Sequence, residues 1–239
     1  MQRTLVIAKR ELSALFFSPI AYLVLGVFAI VSSLFFWGVL DPGGRASMAS
    51  EFTRVVWLMA FVVPALSMRL VSEEMRSGTI ELLMTAPVDD GEVILGKWLG
   101  GVVFLLALLV PLVAHVFILE LSAEPDYGPI FTGLLGLLLV GAFYLAIGAF
   151  ASTLTDSQVI AFVITVLITG MLSLGVMLLA DAEVMPGWLV AVFGFIGVSQ
   201  QYSDFAMGLV DVRNFVYFLS GIAVFLFAAT KLLESRRWR

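Results

Sequence analysis

Long apolar runs alternate with short polar stretches along this chain. A helix needs about 20 mostly apolar residues to cross a bilayer, and five runs meet that: residues 20–40, 52–71, 98–119, 130–151 and 159–180. A sixth, 212–233, is interrupted early by Arg213 and Asn214 and is otherwise apolar. The run 188–198 is too short to span. Gly187, Gly194 and Gly197 suit a re-entrant or interfacial helix there. Ahead of the first span, residues 2–17 set Leu5, Ala8, Leu12 and Leu15 at helical spacing, with Arg3, Arg10 and Ser13 elsewhere. That is the pattern of an amphipathic helix on an anionic membrane surface, and Ser18-Pro19 ends it. The expected fold is an all-α polytopic membrane protein. A single domain over 1–239 carries an interfacial helix in 1–19, six transmembrane helices, an inner loop at 72–97 and an outer segment at 181–211.

Composition agrees. Apolar residues make up 61% of the chain and charged residues 13%, against roughly 45–50% and 25% in soluble domains. The absence of Cys excludes disulfides and thiolate metal sites. A net charge of −5 argues against a nucleic-acid partner. Lys and Arg set the orientation. With the N-terminus inside, the inner segments hold Arg3, Lys9, Arg10, Arg69, Arg76, Lys97, Lys231, Arg236, Arg237 and Arg239; the outer ones hold Arg45, Arg54 and Arg213. Both termini are therefore expected in the cytoplasm. The polar start is long and the first apolar run is of full spanning length, which reads as a retained span rather than a cleaved signal peptide.

The densest polar stretch, 72–97, lies between the second and third spans. Thr79-Ile80-Glu81-Leu82-Leu83-Met84 reads as a short helix that Ser77 caps and Pro87 ends. Ile80, Leu83 and Met84 then share one face suited to a partner's hydrophobic groove. Further on, the segment from Gly91 to Gly96-Lys97-Trp98 nearly matches G-x-x-x-x-G-K-[ST]. Trp98 stands where a magnesium-holding hydroxyl is required, and the segment enters a span instead of following a strand. It is not an ATP site, and Lys97 reads as a snorkelling residue at the inner interface.

Other candidates are weaker. His115, the one histidine, lies near the outer end of the third span with Glu120 as the nearest acid in sequence, and is expected neutral and hydrogen-bonded. Ala161, Thr165, Thr169 and Ser173 recur every four residues, and Gly148 and Ser152 repeat the spacing; a conduit, a subunit interface and ordinary packing all fit. Pro64 and Pro111 are candidate kinks. Glu51, Asp181, Glu183, Asp204 and Asp211 are expected on the outer face, scattered and with no nucleophile or metal-ligand spacing. No catalytic residue, cofactor site or metal site is predicted, and the chain is not expected to be an enzyme.

The inner loop resembles that of ABC-2-type transporter permeases. The shared pattern appears as Glu73-Glu74, Gly78-Thr79, Glu81-Leu82-Leu83, Pro87 and Gly96-Lys97. Ser199-Gln200-Gln201-Tyr202, Phe205, Gly208 to Asp211, the opening Arg213-Asn214-Phe215 and the ending Glu234-Ser235-Arg236-Arg237-Trp238 are similar to the gliding-motility-type branch. The resemblance implies a bacterial inner-membrane permease subunit, multi-pass, with a coupling helix that docks on a separate ABC ATPase. The implied docking residues are Glu74, Arg76, Gly78, Thr79, Ile80, Glu81, Leu82, Leu83, Met84 and Pro87. ATP and magnesium would belong to that ATPase, with none in this chain. A second permease copy or a paralogous membrane subunit would complete the complex; in this branch that partner often has a large extracytoplasmic domain. The implied work is export, or, alternatively, mechanotransmission to an extracytoplasmic partner with nothing crossing.

Overall fold

The computed structural model describes residues 2–38, 47–80, 88–122, 125–180, 187 and 194–236, the side chains of 122, 175–180 and 236 excepted. Secondary structure among them is helical: α1 (Gln2–Phe16), α2 (Pro19–Trp37), α3 (Ala49–Ser67), α4 (Ser72–Ser77), α5 (Asp90–Ser122), α6 (Tyr127–Leu154), α7 (Gln158–Ala180), α8 (Val198–Ala206) and α9 (Val212–Arg236). Five helical stretches are long and apolar enough to cross a membrane: Pro19–Trp37, Ala49–Ser77, Asp90–Leu121, Tyr127–Leu154 and Val212–Ser235. The fifth expected span coincides with α7, whose described side chains form a shorter apolar helix, Gln158–Leu174.

Several boundaries move. The third span starts at Asp90, because Asp90 and Glu92 fall in the first turn of α5, where the helix dipole favours acids. The near-phosphate-loop segment is thus continuous helix. Of the expected 188–198 helix, residues 188–193 lie outside the described residues. Residues 194–196 are helical, and after Gly197 a separate helix, α8, takes in the polar Ser199-Gln200-Gln201. Arg213 and Asn214 do not interrupt the last span. They form its first turn, where the Asp211 carboxylate accepts from the Arg213 backbone N–H at 2.9 Å and the Asn214 amide donates to Asp204 at 2.8 Å. Arg213 also lies over the Phe195 ring at 5.2 Å.

The bundle is built around α6, which packs against α3, α5, α7, α8 and α9. Lipid competes for apolar surface as well as another helix does, so membrane helices associate through close van der Waals contact at small residues. The α6 glycines supply it. A Cβ at Gly133 would stand 2.5 Å from the Phe52 ring, at Gly136 2.8 Å from Phe205 Cβ, and at Gly141 2.7 Å from both Leu105 and Met59. On the α9 side Phe143 meets Tyr217, Phe218 and Phe225 edge-on at 5.9–6.1 Å, an arrangement the ring quadrupoles favour. The α8 helix is tied to the same hub, for Tyr202 donates to Gly133 O and Thr132 donates to Phe205 O.

The four-residue stripe on α7 packs inside this chain. Thr165 and Thr169 are fully buried, Thr169 donates across to Ala60 O at 2.8 Å, and Ser173 bonds the Tyr144 hydroxyl at 2.5 Å. A Cβ on Gly148 would stand 1.8 Å from Ser67 Oγ and 2.3 Å from Ser67 Cβ. Gly148→Ala therefore has to push α3 from α6, at a cost of about 1–3 kcal/mol. Gly170→Ala, in open space on α7, should be neutral or stabilising by up to ~1 kcal/mol. Thermal unfolding of the two variants in detergent checks this; equal midpoints would refute the packing argument.

Candidate functional site

The polypeptide leaves α3 through a turn at 68–71 and enters α4. Glu73 and Glu74 occupy its first turn and Arg76 its last, in accord with the dipole. Gly78 then adopts φ +72, a left-handed conformation that glycine takes without a Cβ penalty, and stops the helix. Ser77 consequently ends α4, its hydroxyl donating to Glu73 O at 2.9 Å, and does not open a helix as expected. Of the implied docking residues, Arg76, Gly78 and Thr79 are exposed, and Glu74 is half-buried. Ile80 is half-buried against this chain's own core. Glu81, Leu82, Leu83, Met84 and Pro87 lie outside the described residues.

Glu74 is the centre of an ionic knot. Its Oε1 lies 2.9 Å from Lys97 Nζ and 2.9 Å from Arg10 Nη2, and Lys97 also reaches Glu11 Oε2 at 3.2 Å. The knot therefore binds α4 to α1 and to α5. Lys97 is 3% exposed, so its ammonium does not snorkel to water. A buried cation is tolerated only when paired, and two carboxylates pair it. Arg69 adds a second tie between the α3 end and α1, donating to Ser18 Oγ at 2.6 Å and Ala14 O at 3.2 Å. These groups, with Glu73, Ser77 and Thr79, line a cavity of about 320 Å³.

The α1 helix reaches this knot because α5 lets its backbone in. A Cβ at Gly96 would stand 2.9 Å from Thr4 O, and one at Gly100 2.8 Å from Ala8 O. The buried face of α1 is thus Thr4, Ile7, Ala8, Glu11, Leu12 and Leu15, while Leu5 is 64% exposed. Glu11 was missed from sequence because its partner is 86 positions away. The usable signal was Gly96-x-x-x-Gly100, a small-residue spacing that predicts close helix contact.

A second polar cluster sits at the other end of the same helices. Glu51, expected on an outer surface, is fully buried in the first turn of α3. Its Oε1 lies 2.6 Å from His115 Nδ1, and Ser33 Oγ lies 3.1 Å from Nε2. Phe36 stacks on the imidazole at 4.6 Å. His115 is hydrogen-bonded as expected, but the acid beside it is Glu51 from another helix and not Glu120. Among the described residues, no three His, Asp or Glu side chains gather as a metal site.

The knot yields a stability test. Lys97→Met strands Glu11 and leaves Glu74 with Arg10 alone, and should cost about 3–5 kcal/mol. Adding Glu11→Gln should recover part of the loss. Unfolding midpoints of wild type, single and double variants decide; a double variant no better than the single would refute the pairing.

The comparisons with known proteins agree with this architecture. No curated protein sequence matches the chain. The family model described as ABC-2 family transporter protein matches residues 6–237, a span that takes in α4, α5 and the helix pair α8–α9. Members of that family are membrane permease subunits of ABC transporters, generally non-catalytic and partnered by an ABC ATPase. A bundle of long apolar helices whose charges are gathered at the helix ends is thus explained: this multi-pass membrane protein belongs to the ABC-2 transporter family.

Proposed function

We propose that the chain is the six-span transmembrane subunit of an ATP-driven ABC-2 complex of the gliding-motility-type branch. In this reading α7 is the fifth span, the protein lies in a bacterial inner membrane, and both termini are cytoplasmic. The segment 72–90 docks on a separate ATPase that binds ATP and magnesium. The observation that carries the reading is the position of Glu74: it stands within the docking segment and is ion-paired to both α1 and α5. A displacement of α4 is therefore passed at once to the N-terminal helix and to the third span. An ATPase shifts such an equilibrium only by holding the segment differently in its two nucleotide states. A second copy or a paralogous membrane subunit completes the complex.

The direction of the α7 stripe favours force transmission as a second reading. Thr165, Thr169 and Ser173 spend their hydroxyls within the chain, so they do not line a path between two copies. In that case the ATP-driven motion acts on an extracytoplasmic partner.

Leu83→Asp should uncouple the ATPase while the subunit still inserts. Losing a packed leucine costs at least ~2 kcal/mol, or roughly thirtyfold in association, and a buried unpaired charge adds to it. Co-purification of the ATPase with wild-type and variant subunits measures this, and unchanged recovery together with unchanged coupled activity would remove the docking assignment. For the topology, a reporter fused after Arg239 should be active on the cytoplasmic side and one within 181–184 outside. A C-terminal reporter active only in the periplasm would sink the six-span arrangement.

A further inference from the structure

The outer cluster of Glu51, His115 and Ser33 holds more information than a hydrogen bond between spans. A hydroxyl has one hydrogen. Ser33 Oγ lies 2.8 Å from Ala29 O and 3.1 Å from His115 Nε2; with its hydrogen on the carbonyl, its oxygen accepts from Nε2. In that arrangement the imidazole carries a hydrogen on Nε2. Across the ring, Nδ1 and Glu51 Oε1 are 2.6 Å apart with both side chains buried. If neither carried a proton there, a lone pair would face a carboxylate oxygen at contact distance, away from water. One proton must lie between them, either on the carboxyl with a neutral ring or on the ring as an imidazolium beside a carboxylate. The pair is neutral overall in both forms, which suits its burial among Phe36 and the apolar faces of the spans. The second oxygen, Glu51 Oε2, is buried without a hydrogen-bond partner among the described residues.

We infer that Glu51 and His115 form a proton-binding site that latches α3 to α5. Apart from this bond the two helices meet chiefly through neighbours: α3 packs on α2, α6, α7 and α8, and α5 on α1, α2, α6 and α9. The same two helices flank the segment 72–90 at their opposite ends. Loss of the shared proton leaves a net negative charge buried at this contact and weakens the tie between α3 and α5 on the side away from that segment.

The surrounding groups leave the pair to itself. Arg54, one turn along α3, is the charge that acts on Glu51, and its exposed guanidinium donates to Phe35 O at 3.3 Å. On α5 the nearest acid is Glu120, which accepts from the Tyr127 hydroxyl of α6. From α8, Asp204 is engaged by Asn214. The helices α2, α6 and α7 contain no Asp, Glu, Lys, Arg or His.

His115 is the one histidine of the chain, so its ring nitrogens can be read alone. The test is 15N NMR of the full chain in detergent, labelled in histidine and purified without a histidine tag, across the pH range in which it stays folded. The wild type should show a protonated Nε2 and an Nδ1 signal that changes with pH as the shared proton is lost. Glu51→Gln places an amide donor at Nδ1 and should give a neutral Nε2–H ring with no such change. Ser33→Ala keeps the shared proton and should keep the pH-dependent Nδ1 signal. A wild-type ring protonated on Nδ1 alone, a wild-type spectrum constant with pH, or identical titrations of wild type and Glu51→Gln would each overturn the proposal. If Glu51→Gln does not fold, the wild-type tautomer and its pH response decide by themselves.

Discussion

The structure depends on how closely other helices approach α6. In a bilayer no gain comes from hiding leucine from lipid, so stability has to come from contact density. Gly133, Gly136, Gly141 and Gly148 provide it by leaving no side chain where Phe52, Phe205, Leu105 with Met59, and Ser67 press in. Because these contacts lie along the whole length of one helix, α3, α5 and α8 are registered against a single reference. The positions of the polar groups follow. Ser67 at one end and Phe52 at the other pin α3, and thereby place α4 and Glu51.

The charges obey a complementary constraint. Buried Lys97 is matched by Glu11 and Glu74, and buried Glu51 by His115, each partner coming from another helix. Both sets tie different helices to one another directly. The two sets sit at opposite ends of α3 and α5, so the pair of helices is fixed at each end by a bond that chemistry can break, and in the middle by packing on α6 that it cannot. A subunit that must transmit a movement and then recover its shape benefits from that division.

Hydropathy made most of the spans legible, because their length and apolarity are local properties of the sequence. The start of α5 was misplaced since Asp90, Glu92 and Lys97 look like loop residues until their dipole and ion-pair partners are known. Ser77 was expected to open a helix, but it ends α4, which Gly78 stops. The two polar clusters were hidden by distance along the chain: Glu51 and His115 are 64 positions apart. A lone histidine inside a span does demand a partner, and looking only one turn away on the same helix missed the one on α3. The α7 stripe was visible as a pattern, but its direction is set by Ala60 O and Tyr144, which only the folded chain brings to it.

The pairing of Glu11 with Lys97 also has a consequence for biosynthesis. The N-terminal helix is made first, yet the cation that neutralises its buried acid and the glycines that admit its backbone are made only with α5. Until then α1 has no place in the bundle, and its exposed Leu5, Val6 and Phe16 offer the bilayer surface as a waiting position. The first helix translated thus cannot dock until α5 has been made.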